Sequence, residues 1–352
     1  MLNDNERFFV HPDSYLDLRY GGESVSDEKK GIERTLKFYE SFGMTETQLQ
    51  EDVQKCNLNQ MLKLVQDYFK REYEYSDPNI VLSNRYQHSV NSYVKGDESR
   101  PDRNLFIHID ELFESALLSF FMVMFKWAKE FDDIQVYRKS FLYLLFIMND
   151  VSILGDIPNE NSSESLFEIL NGDWQIMNLA SSCYWVTVIF SLAHEVAHTY
   201  FKNKGQVFES DKEEEFAADA MAYDIVLKII MDQVQLEETE RILEAYAYLA
   251  PVMYMQFFDV LYYTDNVLYN GVVIDDTHPP VQERVDQLLA IANEDRYDFD
   301  TEEGNSLYNS FLDVYEEYCK QLYVKKEEGK LNKIIRMEDW ERRYRKYDKN
   351  RG

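Results

Sequence analysis

The sequence predicts a mainly α-helical fold with a small β-sheet, an α+β arrangement. Three observations lead there. Apolar residues recur at helical spacing through most of the 352 residues. One stretch, Asn79 to Asp110, breaks instead into short β-branched and aromatic runs. A hydrophobic content of 45%, of which 15% of the chain is aromatic, is ample for a core.

In order, residues 1–27 carry turn formers (Pro12, Gly21, Gly22) without a period and read as irregular. Helical spacing covers Asp27 to Phe42 and Thr45 to about Tyr75, with Thr45 and Gln48 as a capping box for the second helix. NIVLS, HSVNSYV and NLFIHID then read as strands, the last two joined by the turn-rich GDESRPDRN as a hairpin. Helices are expected at Glu111 to Glu130, Ile134 to Met148 and, after the loop Gly155 to Ser163, briefly at Ser165 to Leu170. Asp173 is placed to cap a long helix that Gly205 stops, with Lys202 and Lys204 in its last turn. Ser210 with Glu213 opens the next helix as an S-x-x-E box, and another is expected over Leu236 to Tyr263. The segment GVVIDDTHPPVQERVDQLLAIANE reads as an extended piece and then a helix opened by a proline pair. A last helix covers residues 305–324. Three regions result: an N-terminal helical region (1–84), a central domain (85–295) and a C-terminal helical region with a basic tail (296–352).

Charge and cysteine usage narrow the function. A formal charge of −28 would be repelled by phosphate backbones, so nucleic acid is not expected as a partner. The tail from Lys325 to Gly352 is locally +5, which fits a charged helix docking on an acidic body. Cys56, Cys183 and Cys319 are odd in number, far apart and without a CxxC pair, the pattern of reduced thiols in a cytoplasmic protein. The N-terminus lacks a positive start followed by an apolar run, so no signal peptide is expected. Trp174 to Ala193 holds twenty consecutive uncharged residues, a length that could span a membrane. Its Gln175, Asn178, Ser181, Ser182, Thr187 and Ser191 favour a buried central helix instead.

That long helix carries SLAHEVAHTY, Ser191 to Tyr200. His194 and His198 are four residues apart, so both imidazoles project from one face about a turn apart and can grip one metal ion. With Glu195 beside the first, this is the HExxH pattern of zinc hydrolases: two histidines bind Zn²⁺ and the glutamate takes a proton from the attacking water. A catalytic zinc needs a third protein ligand and keeps one position open. Glu215 of EFAAD, seventeen residues after His198, lies within the first two turns of a helix that could return antiparallel, where its carboxylate can face the metal. Asp219, on the same face, can accept the free N–H of a ligating imidazole. Phe216, Ala217, Ala218, Ala220 and Ala222 mark that face as buried, whereas Glu213 and Glu214 read as a solvated acidic helix start favoured by the dipole.

HExxH, then EFAAD, then HPPVQER (His278 to Arg284), in that order, resembles the gluzincin metallopeptidases of the prenyl-CAAX endopeptidase and bacterial heat-shock HtpX type. The likeness covers roughly residues 90–295 and implies a zincin-like fold and one zinc ion per chain. It assigns His194, His198 and Glu215 to the metal and Glu195 to catalysis. It gives His278 and Arg284 to the transition state or the site's architecture, and a histidine held by two prolines at a helix start is well suited to donate to a developing oxyanion. Asn91 to Tyr93 with Leu105 to Asp110 resembles the family's substrate-binding sheet edge. The membrane helices of that family have no counterpart in this sequence. A more distant likeness, through HExxH and solubility, is to cytoplasmic phage-exclusion peptidases that cut a host protein. The implied activity is hydrolysis of a protein or peptide substrate in the cytoplasm. The alternatives are a zinc-stabilised regulatory or binding protein, against which Glu195 argues because a structural site does not need it, and a membrane-associated protease that uses Trp174 to Ala193 as a span.

Overall fold

The computed structural model describes residues 58–83, 92–95, 105–109, 111–154, 169–234, 245–269, 278–294 and 302–331, with Leu166 and Tyr297. The helix expected at Asp27 to Phe42, the Thr45 capping box, Cys56 and most of the basic tail lie outside these residues.

The described chain is mainly helical. Its elements are α1 (Leu58–Tyr73), β1 (Ile80–Ser83), β2 (Ser92–Lys95), β3 (Leu105–Ile109), α2 (Glu111–Lys129), α3 (Ile134–Leu154), α4 (Trp174–Lys204), α5 (Asp211–Val234), α6 (Ala250–Tyr269), α7 (Val281–Ala292) and α8 (Glu302–Glu327). The strands form one sheet in the order β1-β3-β2. β2 and β3 pair antiparallel with Tyr93 opposite His108, and β1 joins β3 in parallel with Val81 opposite Phe106. Among the described strands β2 is therefore at an edge, and it lies against α4.

α4 is the central element, packed by α1, α2, α5 and α6. Its ends are closed by local chemistry. Asp173 Oδ1 accepts from Ile176 N–H and its Oδ2 accepts from Lys129 Nζ at 2.8 Å, while Gly205, at φ 65°, donates its N–H to Lys202 C=O. A left-handed residue there costs glycine little, so the chain can reverse at once into α5. α4 is the one described helix long and apolar enough to cross a membrane by composition, and most of its apolar window is buried inside the protein. α5 opens on the expected box: Glu213 N–H donates to Ser210 Oγ at 3.2 Å, while the Glu213 carboxylate turns to the Glu209 N–H. The helix expected over Leu236 to Tyr263 divides. Ala245–Leu249 is a 3₁₀ turn and α6 starts only at Ala250, because Pro251 lacks an N–H and suits a first helical turn.

A single apolar core runs from Leu58 to Leu331. The boundaries drawn from the sequence at 84 and 295 thus separate stretches that share a core. Phe69 of α1 is fully buried among Tyr73, Tyr75 and Tyr200. Arg71 Nη1 of α1 reaches Asp232 of α5 at 3.0 Å, and Lys228 of α5 bridges Glu72 of α1 (2.7 Å) and its own helix's Asp224 (2.8 Å). On the far side, Phe311 of α8 packs on Phe120 and Phe125 of α2.

Because α1 shares the core of α4, Phe69→Ala should lower the stability of the main unfolding transition by about 3–5 kcal/mol, the usual loss for a buried phenylalanine. Urea denaturation followed by tryptophan fluorescence measures it. An unchanged main transition would make residues 58–75 an independent unit.

Candidate metal centre

His194 and His198 face α5 from one side of α4, with ring centroids 4.7 Å apart and planes at 77°. Their Nε2 atoms are 3.0 Å from each other. Glu215 completes a triangle, its Oε2 3.3 Å from His194 Nε2 and its Oε1 3.4 Å from His198 Nε2. Tetrahedral coordination with bonds near 2.0–2.1 Å places ligand atoms about 3.3–3.4 Å apart. These three side chains are the one group of potential metal ligands among the described residues, with ligand atoms all within 4.8 Å of one another.

The other imidazole nitrogens are engaged. His194 Nδ1 lies 3.0 Å from Asp219 Oδ1, and His198 Nδ1 lies 2.8 Å from Glu214 Oε1. An Nδ1–H donating to a carboxylate leaves each Nε2 with its lone pair, and two lone pairs 3.0 Å apart attract nothing in each other. Glu215 Oε2 is likewise buried without a hydrogen-bond partner. Two converging imidazole lone pairs and an orphaned carboxylate oxygen fit a cation between them, and this nitrogen and oxygen donor set suits zinc.

With no cation bound, the surrounding carboxylates favour a proton on the imidazoles in its place. Burial alone would lower the His194 pKa, but Asp219 and Glu215 push it up to about 10. His198 is also raised, with burial and His194 opposing and Glu215 and Glu214 prevailing. Burial would raise the Glu215 carboxyl, yet the two histidines hold it well below the usual carboxylate range. The protein has built a pocket of negative potential that a positive charge satisfies.

Asp219 has no exposed surface. Arg284, projecting from α7, grips it with two bonds, Nε to Oδ2 at 2.6 Å and Nη2 to Oδ1 at 2.8 Å, and holds its carboxyl below the usual range against burial. Arg284 thereby reaches the site's architecture and not its open side. His278 stands just before Pro279 and Pro280, with Nε2 3.6 Å from Glu215 Oε2 and its side chain partly exposed. Glu195 is buried on α4 beside His194.

Two residues escaped the sequence reading. Glu214, assigned there to a solvated helix start, turns to His198. Tyr254 of α6 is buried at the edge of the site, 6.3 Å ring to ring from Phe190. Burial drives its hydroxyl well above the ordinary range, and the charges of Arg284, Glu195 and Asp219 all act on it. Nothing in the local sequence of Tyr254 sets it apart from the other tyrosines of that helix.

Residues 128–299 match the sequence model of the family Peptidase U49. The match takes in α4, α5 and α7, and it indicates a peptidase. No curated protein and no solved structure matches the chain.

The pairing of Asp219 with Arg284 makes a prediction that does not depend on metal. Arg284→Met should cost about 3–5 kcal/mol in the metal-free protein, because it strands a buried carboxylate, and adding Asp219→Asn should recover part of that loss. Urea titrations of both single variants and the double variant supply the cycle. Simply additive losses would mean the two side chains do not act as a unit.

Proposed function

We propose that the chain is a soluble, cytoplasmic zinc metallopeptidase of gluzincin type and zincin-like fold, with one zinc ion held by His194, His198 and Glu215, that hydrolyses peptide bonds of a protein or peptide. The observation that carries this is the convergence of two imidazole nitrogens and one carboxylate at 3.0–3.4 Å, with Glu195 next to the first ligand. The peptidase family match over the same helices supports the reaction class. The burial of most of the apolar window of α4 supports the soluble reading over a membrane-spanning one.

Zinc bound there would supply Lewis-acid polarisation of the scissile carbonyl and a lowered pKa for the attacking water. The chain's residues do the rest. Glu195 accepts the proton of that water as its oxygen bonds to the carbonyl carbon, and hands it to the amine when the C–N bond breaks. His278, on the partly exposed side of Glu215, donates a hydrogen bond to the oxygen that gains charge. Asp219, oriented by Arg284, keeps His194 in the tautomer with a free Nε2. Arg284 is accordingly a positioning residue. Substrate would lie along β2 as an added strand, which the edge position of β2 and its packing on α4 support.

Purified protein should carry about one zinc per chain, and His198→Ala or Glu215→Ala should lose it, since a catalytic zinc has three protein ligands. Glu195→Gln should keep the metal and the fold but yield no new protein termini when incubated with a cell lysate that the wild type cleaves. Full zinc in both ligand variants would remove the site, and full activity of Glu195→Gln would move the base elsewhere.

His278→Ala should lose on the order of 10²- to 10³-fold in kcat while zinc content and KM stay near wild type, the pattern of a donor used only in the transition state. Steady-state kinetics on a cleaved peptide, paired with metal analysis, decides the matter. Loss of zinc together with activity would make His278 a ligand, and unchanged activity would reduce it to a residue of the helix start.

A further inference from the structure

The acidic run that opens α5 is not uniform. Glu213 is used locally, on the Glu209 N–H. Glu215 faces the two Nε2 atoms. Glu214, one residue earlier, places Oε1 2.8 Å from His198 Nδ1, on the opposite side of that ring from the converging Nε2 atoms. Neighbouring residues on a helix diverge by about 100°, so two consecutive glutamates can clasp the two sides of one imidazole only where that ring sits against the first turn of the helix.

We propose that Glu214 is a positioning residue for His198. By accepting the Nδ1 proton it fixes the ring's tautomer and orientation so that the Nε2 lone pair faces Glu215 and His194. It thus does for the second histidine what Asp219 does for the first. This inference rests on the reading of His194, His198 and Glu215 as a zinc site and adds to it one residue that the motifs do not contain.

The two supports are unequal. Asp219 is fully buried and its charge is neutralised by the bidentate Arg284. Glu214 keeps 38% of its side chain exposed, and no guanidinium stands behind it among the described residues. Its charge therefore acts on His198 undiminished by a partner, although solvent weakens the bond. His198 itself is more exposed than His194, 22% against 11%. The solvent-facing half of the site is thus held by Glu214, and the interior half by the Asp219–Arg284 pair.

The test is zinc affinity, measured by competition with a chromophoric chelator on the full chain, together with the thermal midpoint of the metal-free protein. Glu214→Ala should bind zinc about 10- to 100-fold more weakly, the range found when an orienting carboxylate is removed. Glu214→Gln keeps an acceptor oxygen in place and should lose clearly less. The metal-free midpoint should stay at its wild-type value in both. In ¹⁵N-histidine NMR spectra of the zinc-loaded protein, the Nδ1-bound proton of His198 should lose its protection in Glu214→Ala alone. Wild-type affinity in Glu214→Ala, with zinc lost in His198→Ala and Glu215→Ala, overturns the role of Glu214 and leaves the zinc site standing. A weakened affinity that Gln does not relieve, accompanied by a lower metal-free midpoint, overturns it too, because that is a fold defect. Wild-type affinity in His198→Ala and Glu215→Ala removes the zinc site, and this inference with it.

Discussion

The buried carboxylate of Asp219 is the point on which the arrangement turns. An ionised carboxylate with no exposed surface is costly unless its oxygens are filled, and here His194 Nδ1 and two guanidinium nitrogens of Arg284 fill them. Those three residues come from α4, α5 and α7, so one carboxylate sets how three helices approach. It also sets the position of His278. Arg284 lies in the first turn of α7, where its N–H donates to Pro280 C=O, and the proline pair leads directly back to His278. A stiff connection from a buried ion pair to a partly exposed imidazole keeps that ring 3.6 Å from Glu215. The role proposed for His278 depends on this rigidity, since a hydrogen bond donated only in the transition state must be aimed beforehand.

What was legible in the sequence divides by range. Contacts along one helix were readable from spacing alone: His194 and His198 four apart, Glu215 and Asp219 four apart, the Ser210 box and the Gly205 stop. The small apolar residues around Asp219 correctly marked a buried face. Glu214 was not legible, because an acidic residue at a helix start has a sufficient local explanation in the dipole. Whether it also meets an imidazole depends on how closely α4 and α5 pack, which no periodicity encodes. Tyr254 was hidden for the same reason, as one of several tyrosines on an apolar helix. The division of Leu236 to Tyr263 at Pro251 was signalled by the proline itself, whose missing N–H outweighs the apolar period on either side.

The region boundaries show a further limit of local reading. The periodicity changes near residue 79 and the charge near residue 325, but the core of the described residues runs across both boundaries drawn at 84 and 295. Tyr75, beyond the end of α1, donates to Thr199 Oγ1 at 3.1 Å, and Thr199 in turn donates to Val196 C=O. Thr199 follows His198 directly, so a residue well outside the stretch matched by Peptidase U49 braces the back of α4 beside the two histidines. Tyr200 is enclosed by Phe69, Tyr73 and Tyr75 in the same way. The helix of the proposed site is therefore held from the side by chain outside the family match.

The apolar character of α4, which makes it resemble a membrane span, has a chemical consequence for the site it carries. Around a buried helix the effective dielectric is low, so each carboxylate–imidazole bond is stronger than in water and each unpaired charge is more costly. Such surroundings put a demand on buried carboxylates above all, that their oxygens be used. Asp219 meets that demand with Arg284 and His194. Glu215 does not, since Oε2 is buried without a hydrogen bond while two imidazole nitrogens converge beside it. That unmet carboxylate oxygen, beside two converging imidazole nitrogens, is what the proposed cation would fill, and it is why the proposed chemistry centres on Glu215 as much as on the histidines.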